Sequence, residues 1–293
     1  MNIKAYLQLM RPANIVTAVA DILAGISIAG FSFSWDESSW KPILLLIIAT
    51  KGLYGGGIVF NDVFDANLDA VERPERPIPS GRASLKGATI LGTILLLTGI
   101  LSAWLFSTQS GVIALIVAIL ALVYNRFGKH HPFFGPVNMG LCRGGNLILG
   151  MSIVASAVSQ YWLLGIVPVI YIAAITMISR GEVHGGSKTI LYFAGFLYIL
   201  VSLSQLTYAQ QHVSPPYVLF FVILHFALIF KPLAKAIENP IGPNIGKAVK
   251  AGVLSLIVMD AVWVSTSGNW ILALLVLALL PLSMWLAKIF AVT

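Results

Sequence analysis

Charge is scarce in this chain. Asp, Glu, Lys and Arg make up 10% of its 293 residues, against about 25% in soluble domains. With 58% hydrophobic residues and a mean hydropathy of +0.91, that scarcity excludes an ordinary water-soluble globule and points to an integral membrane protein. Cysteine is nearly absent as well. Cys142 stands alone in an apolar segment, which excludes a disulfide framework and zinc-type spacing. Alternation of apolar and polar residues is missing, so a transmembrane barrel is excluded. The opening "MNIKAYLQLMRPANIV" has no small-residue cleavage site behind a short apolar core, and no removable signal peptide is expected. A net charge of +7 is of the sign that nucleic acid attracts, but the basic residues sit in short loops between apolar runs, where membrane topology requires them.

What the chain does have is long apolar runs. A helix needs about 20 such residues to cross the hydrocarbon. Runs near 13–33, 42–61, 88–107, 111–125, 136–157, 161–179, 190–209, 216–235, 247–265 and 270–290 meet that need or approach it. Within lipid every backbone group needs an internal partner, so these runs are read as helices. The reading is an all-α membrane protein with nine or ten transmembrane helices around a central cavity. Nine is the fallback, because 111–125 is short and the last two runs are parted only by "STSGN".

Fifteen of the eighteen Lys and Arg residues fall on one side of such an arrangement: Lys4, Arg11, Arg73, Arg76, Arg82, Lys86, Arg126, Lys129, Arg180, Lys188, Lys231, Lys235, Lys247, Lys250 and Lys288. The bias places both termini and the large loops in the cytoplasm, and it favours ten spans. In a bacterium the membrane would be the plasma membrane. The chain is read as one polytopic domain, with possible four-helix repeats over 1–130 and 131–245 and a C-terminal pair over 246–293. Such a repeat would set the loop at 61–82 opposite the loop "SRGEVHGGSK" at 179–188 across the cavity.

The densest charge is "NDVFDANLDAVERPERPIPSGR", residues 61 to 82, directly after an apolar run. If that run stays helical past Phe60, Asp62, Asp65 and Asp69 share one face, as do Asn61 and Asp65. Like charges so placed call for a cation. Hard oxygen donors suit Mg²⁺, which often bridges one or two carboxylates to a substrate phosphate. Arg73, Arg76 and Arg82 follow, and arginine can grip phosphate oxygens in pairs. Pro77 and Pro79 bend the chain back over the site.

Asn-Asp-x-x-Asp-x-x-x-Asp followed by "RPIPSGR" closely resembles the first signature of the UbiA family of intramembrane prenyltransferases. "RPAN" at 11–14, "YNRFGK" at 124–129, "GLCRGGNLILG" at 140–150 and "GGSKT" at 185–189 extend the resemblance over most of the chain. In "YNRFGK" the lysine falls one residue later than in the family's pattern. The second acidic signature departs further. The family has Asp-x-x-x-Asp there, and this chain has Ile178 and Glu182, with Arg180 between them and His184 beyond. That version resembles the EboC-like branch.

The resemblance implies Mg²⁺-dependent transfer of an isoprenoid group from an allylic diphosphate to an aromatic or other lipophilic acceptor. Asn61, Asp62, Asp65, Asp69 and Glu182 would hold metal. Asp62, Asp65, Glu182 and Tyr124 would be catalytic. Arg11, Asn14, Arg76, Arg82, Arg126, Lys129, Arg143 and Lys188 would bind substrate. The lost acid leaves an alternative: a degenerate relative that binds or carries a hydrophobic metabolite, phosphorylated or not. Prenyl chain length, acceptor identity and oligomeric state stay open.

Other polar residues interrupt the apolar runs. Arg143 and Asn146 are expected near the cytoplasmic mouth of the cavity, with a structural buried pair as the equal alternative. Asp21 and Asp260 read as structural, with Lys51 or a backbone donor as a conceivable partner. His225 reads as a satisfied core histidine. "YGGG" at 54–57 reads first as close helix packing. Trp35, Trp40, Trp162 and Trp270 read as interfacial anchors.

Overall fold

The computed structural model describes residues 2–32, 37–128, 131, 133–182, 185–212 and 216–290. Among these the fold is all-helical. A short helix α1 (Ile3–Met10) meets α2 (Pro12–Ile28) at a 42° bend. Then come α3 (Glu37–Phe64), α4 (Ala66–Glu72), α5 (Leu85–Phe106), α6 (Thr108–Val123) and one turn of π-helix (Tyr124–Gly128). The second half holds α7 (Phe134–Met151), α8 (Ala155–Tyr161), a 3₁₀ turn (Trp162–Gly165), α9 (Ile166–Ser179), α10 (Lys188–His212), α11 (Pro216–Glu238), α12 (Gly242–Ser265), α13 (Trp270–Leu277) and α14 (Leu279–Ile289).

Each of the ten expected runs is helical over most of its length. Eight helical stretches among the described residues are long and apolar enough to cross a membrane, and nine if α1 and α2 form one bent span. The remaining run, 136–157, which forms α7, is not among them. Asn138, Arg143, Asn146 and five glycines dilute its eighteen residues, and it lies inside the bundle.

Helices α2, α7 and α12 form the centre. α7 packs on α2, α6 and α9, while α12 packs on α2, α9 and α11. Small residues allow these contacts. Gly25 of α2 faces the Leu147 carbonyl and the Met151 amide of α7, and Gly144 of α7 faces the Gly165 carbonyl. The glycines after Tyr54 divide the work. Gly56 packs against Leu96 of α5, and Gly57 faces Ala121 of α6. α3 remains regular through them, so "YGGG" acts as a packing surface and not as a loosened helix.

The half built from α9 to α12 is filled by large side chains, with Tyr171, Tyr198 and Trp263 fully buried. His225 belongs to this core. Its Nε2 lies 3.4 Å from the Tyr171 hydroxyl, and the two rings stack. The outer surface is apolar, as a lipid-facing surface must be. Trp40, Trp162 and Trp270 are each more than half exposed at helix ends, as interfacial anchors are. Trp35 lies outside the described residues.

A side chain on Gly25 would have to displace backbone of α7, which cannot yield as a flexible side chain can. Gly25→Val is therefore expected to destabilise the bundle by about 3 kcal/mol, the upper part of the range for overpacking. Gly57→Ala, whose new methyl would lie 3.3 Å from the Ala121 Cβ, is expected to be tolerated. Thermal unfolding in detergent, followed by circular dichroism, checks both.

Candidate active site

The charged motif folds much as its spacing requires. α3 ends at Phe64, but helical hydrogen bonding continues across the break. The Asp65 amide donates to the Asn61 carbonyl at 3.0 Å, and the Asp69 amide donates to the Asp65 carbonyl at 2.8 Å. Asp65 itself takes φ −89° and ψ 0°, the sparsely populated bridge region where many active-site residues sit. Asp62 and Asp69 are buried on one face, and Asp65 is half-buried beside them.

Two arginines meet these acids. Arg76 Nη1 donates to Asp69 Oδ2 at 2.7 Å and lies 3.4 Å from Asp62 Oδ1. Arg11 Nη2 donates to the same Asp62 oxygen at 2.6 Å. Arg11 is the hinge between α1 and α2, with φ +46°, in the left-handed region. Among described residues other than glycine it alone has a positive φ, a conformation that costs roughly 1 kcal/mol or more. The return loop is stapled from outside. Arg82 donates to the Gln8 side chain of α1, to the Glu75 carbonyl and to the Ser80 hydroxyl. Gly81 supplies the φ of +72° that turns the chain.

Beneath this clamp is a cavity of about 220 Å³. Its walls are mainly apolar, with Leu53, Val117, Ala121, Met139 and Ile172 among them. Arg11, Asn14, Asn61, Tyr124, Arg143 and Asn146 supply polar edges. Asn61 is held by a residue that the sequence reading passed over. Asn125, in the π-turn, donates to the Gly57 carbonyl at 2.7 Å, and its Oδ1 accepts from Asn61 Nδ2 at 3.1 Å. With its amide nitrogen committed, Asn61 has its own Oδ1 left for the site. Asn125 stands within "YNRFGK", but one asparagine at a helix end does not distinguish itself from an ordinary cap.

The profile of the UbiA prenyltransferase family matches residues 22–237. The chain belongs to that family. It is also similar to a digeranylgeranylglyceryl phosphate synthase of Methanococcoides burtonii, 36% identical over 159 residues, which are 53% of this chain and 56% of that one. The chain thus aligns with little more than half the length of that relative. Its fold is that of a UbiA homolog from Aeropyrum pernix K1, solved in the apo state, with TM-score 0.70, 16% identity, and 85% and 96% of the two chains covered. A UbiA homolog from Archaeoglobus fulgidus, solved bound to GPP and Mg²⁺, gives TM-score 0.62 and 15% identity, with 86% and 99% covered.

Within this UbiA fold the other expected site residues are distributed unevenly. Arg76 is in the clamp, but Arg82 is exposed and acts on the loop. Arg126 is exposed, with its guanidinium 5.9 Å from the Phe64 ring at the end of α3. Lys188 is exposed at the start of α10. Lys129 and His184 lie outside the described residues. Glu182 is exposed at the end of the α9 loop. Partial burial pushes its carboxyl above the ordinary value, while the Arg73 guanidinium pulls the other way. Arg143 and Asn146 are not at the mouth. They sit mid-way along α7, and Arg143 lies over Tyr54, seven residues inward of Asn61 on α3. Seven helical residues span about 10 Å. Asp21 pairs with Arg143 at 2.8 Å and not with Lys51, which is exposed on α3.

Do these residues fit Mg²⁺? Among the described residues no three His, Cys, Asp or Glu side chains group closely enough to form a metal site by themselves. Yet Asp62 Oδ2 is buried with no hydrogen-bond donor, and Asn61 Oδ1 is free beside it in sequence. An ion that keeps several waters and takes one or two carboxylates fits such a donor set. Because Asn125 orients Asn61, Asn125→Ala is expected to weaken binding of Mg²⁺–pyrophosphate about ten-fold. The same change in an Asn61→Ala background should add little. Isothermal titration of the four proteins checks the cycle.

Proposed function

We propose that the protein is a Mg²⁺-dependent intramembrane prenyltransferase that moves an isoprenoid group from an allylic diphosphate to a lipophilic acceptor. The observation that carries this reading is the clamp of Asp62, Asp69, Arg76 and Arg11 at the mouth of an apolar cavity edged by Tyr124. Asn61, Asp62 and Asp65 would hold the ion, with Asp69 behind them and Glu182 available from the opposite loop. When bound, the ion supplies Lewis-acid stabilisation of the departing diphosphate.

The chain's own residues do the rest. Arg11 and Arg76 would take phosphate oxygens, helped by Arg126 and Lys188. The apolar walls exclude water from the electron-poor allylic carbon. Tyr124, at the cavity edge, would steady that carbon as positive charge develops on it. The resemblance to digeranylgeranylglyceryl phosphate synthases favours an acceptor with a glyceryl oxygen over an aromatic one. Both termini and the clamp face the cytoplasm in this reading, as the Lys and Arg bias supports.

Purified protein supplied with Mg²⁺, geranylgeranyl diphosphate and either an alkylglyceryl phosphate or an aromatic acceptor is expected to release diphosphate. Asp65→Ala or chelation of the metal should reduce release at least a hundred-fold, the scale of losing a main electrostatic contact to the transition state. Tight binding of the diphosphate without any release would overturn the reading. It would favour a carrier that has kept the cavity and lost turnover along with the second-loop acid.

A further inference from the structure

A second pocket opens at the other end of the bundle. It lies between the C-terminal ends of α2, α10 and α12 and the short helix α8, and its volume is about 260 Å³. Ser27, in its wall, is about 24 Å along α2 from Arg11, so this pocket is remote from the clamp. The gap exists because the chain steps aside after α7. Val154 is extended, at φ −115° and ψ 110°, and α8 has only 7 residues before the 3₁₀ turn. α8 packs on α7 and on that turn. Small residues, Ser27, Gly30, Ser156 and Ala157, border the space that it leaves towards the other helices. A methyl group built on Gly30 would meet nothing within 4 Å.

We propose that this pocket binds an uncharged, hydroxyl-rich group, a sugar or similar polyol, carried as the head of a neutral lipid or free in solution. Its walls set that class. Among the described residues they carry no Asp, Glu, Lys or Arg, so neither a phosphate nor a quaternary ammonium meets a counter-charge. Several side chains have already spent their protons. Ser267 donates to the Val264 carbonyl at 2.8 Å, and Ser27 donates to the Ser267 hydroxyl at 2.9 Å. His212 Nδ1 lies 2.8 Å from the Tyr208 carbonyl. A carbonyl only accepts, so the proton is on Nδ1, and Nε2 of the neutral ring is left as an acceptor. Ser156 and Gln160 are exposed, and their side chains form no hydrogen bond with the described residues. Ligand hydroxyls can donate to the first group and bond in either direction with the second. A phosphate only accepts, and a quaternary ammonium does neither.

Aromatic rings complete the wall. Tyr208 stacks with His212, with ring centroids 4.0 Å apart and planes at 16°, and meets Tyr161 edge-on at 6.0 Å. Buried Trp263 backs Tyr208 at 5.6 Å, so this surface is set before a ligand arrives. The C–H face of a sugar ring packs on such rings by dispersion contact. The volume falls just under the roughly 300–1,000 Å³ of pockets for drug-sized ligands, which suits one sugar ring. Trp162 adjoins Tyr161 in the chain, and Trp270 closely follows Ser267. Both are more than half exposed at helix ends, where tryptophan marks the level of lipid head groups. A lipid head therefore reaches the pocket while its chains stay in the membrane. The inference uses none of the clamp's residues and does not rest on the transferase reading.

The test is the equilibrium distribution of radiolabelled lipids between phosphatidylcholine nanodiscs that hold the full chain and empty ones, with no sugar detergent present. The probes share dioleoyl chains and differ in the head: glucosyl-diacylglycerol, diacylglycerol, phosphatidylglycerol and phosphatidylethanolamine. The glucosyl lipid is expected to be enriched about ten-fold over each of the others, the scale of one or two hydrogen bonds. His212→Ala and Gln160→Ala are each expected to reduce that enrichment about three-fold and to leave Mg²⁺–pyrophosphate binding at the clamp unchanged. Equal enrichment of all four lipids overturns the proposal. Stronger enrichment of either phospholipid overturns the neutral class, and enrichment that survives both substitutions overturns the location. The wild-type comparison decides the matter even if neither variant folds. Free methyl glucoside separates the two sources. Displacement of the lipid only at large excess supports a lipid-borne head, displacement at equal concentration supports a soluble sugar in the same site, and no displacement at any concentration overturns recognition through the sugar.

Discussion

An arginine fixed between two buried aspartates organises the mouth of this bundle. Asp62 and Asp69 are nearly inaccessible to water, and a carboxylate in that state costs several kcal/mol unless a cation and hydrogen bonds compensate it. Arg76 supplies the compensation from the return loop, and Arg11 adds a second from the α1–α2 hinge. Most of the nearby irregularity serves these contacts. The chain must stay helical past Asp65 to keep the acids on one face. It must turn at 73–76, where the Arg76 amide donates to the Arg73 carbonyl, to bring Arg76 back. Arg11 must accept a left-handed backbone to reach Asp62.

In the proposed transferase the same constraint would let the clamp handle both signs of charge. A divalent ion and the arginines would compete for aspartate oxygens, while phosphates and aspartates would compete for the arginines. Asp62 illustrates the balance, since Oδ1 is shared by two arginines and Oδ2 is left without a donor. Rigid satisfaction of every atom would leave nothing for a ligand. Asn125 works in the opposite sense, because it removes a degree of freedom from Asn61 and leaves an oxygen available.

The fold and the first acidic motif were largely readable before any coordinates. Apolar run lengths located the helices, and i, i+3, i+7 spacing placed Asp62, Asp65 and Asp69 together. Where the reading fell short, the reason was long-range pairing. Nothing local links Asp21 to a residue 122 positions away, so Arg143 could not be assigned to it. Nothing in "RPIPSGR" says that Arg76 turns inward while Arg82 turns outward to Gln8. The helix count also depends on context. α7 carries too many polar residues and glycines to stand alone in lipid, and it is stable because α2, α6 and α9 surround it.

The clamp and the Asp21–Arg143 pair differ in the way that each reaches neutrality. At the mouth, arginines from the loop and hinge offset aspartates near solvent, so an incoming ion or anion can shift the balance. Deeper in the bundle, the Arg143 guanidinium meets the Asp21 carboxyl group from a helix far away in sequence. Water cannot screen them there, and hydrophobic replacement of such a pair is often neutral or stabilising. Retaining it brings no automatic gain in stability. What it does bring is a fixed pairing of α2 with α7, since Asp21 and Arg143 meet in only one register of the two helices.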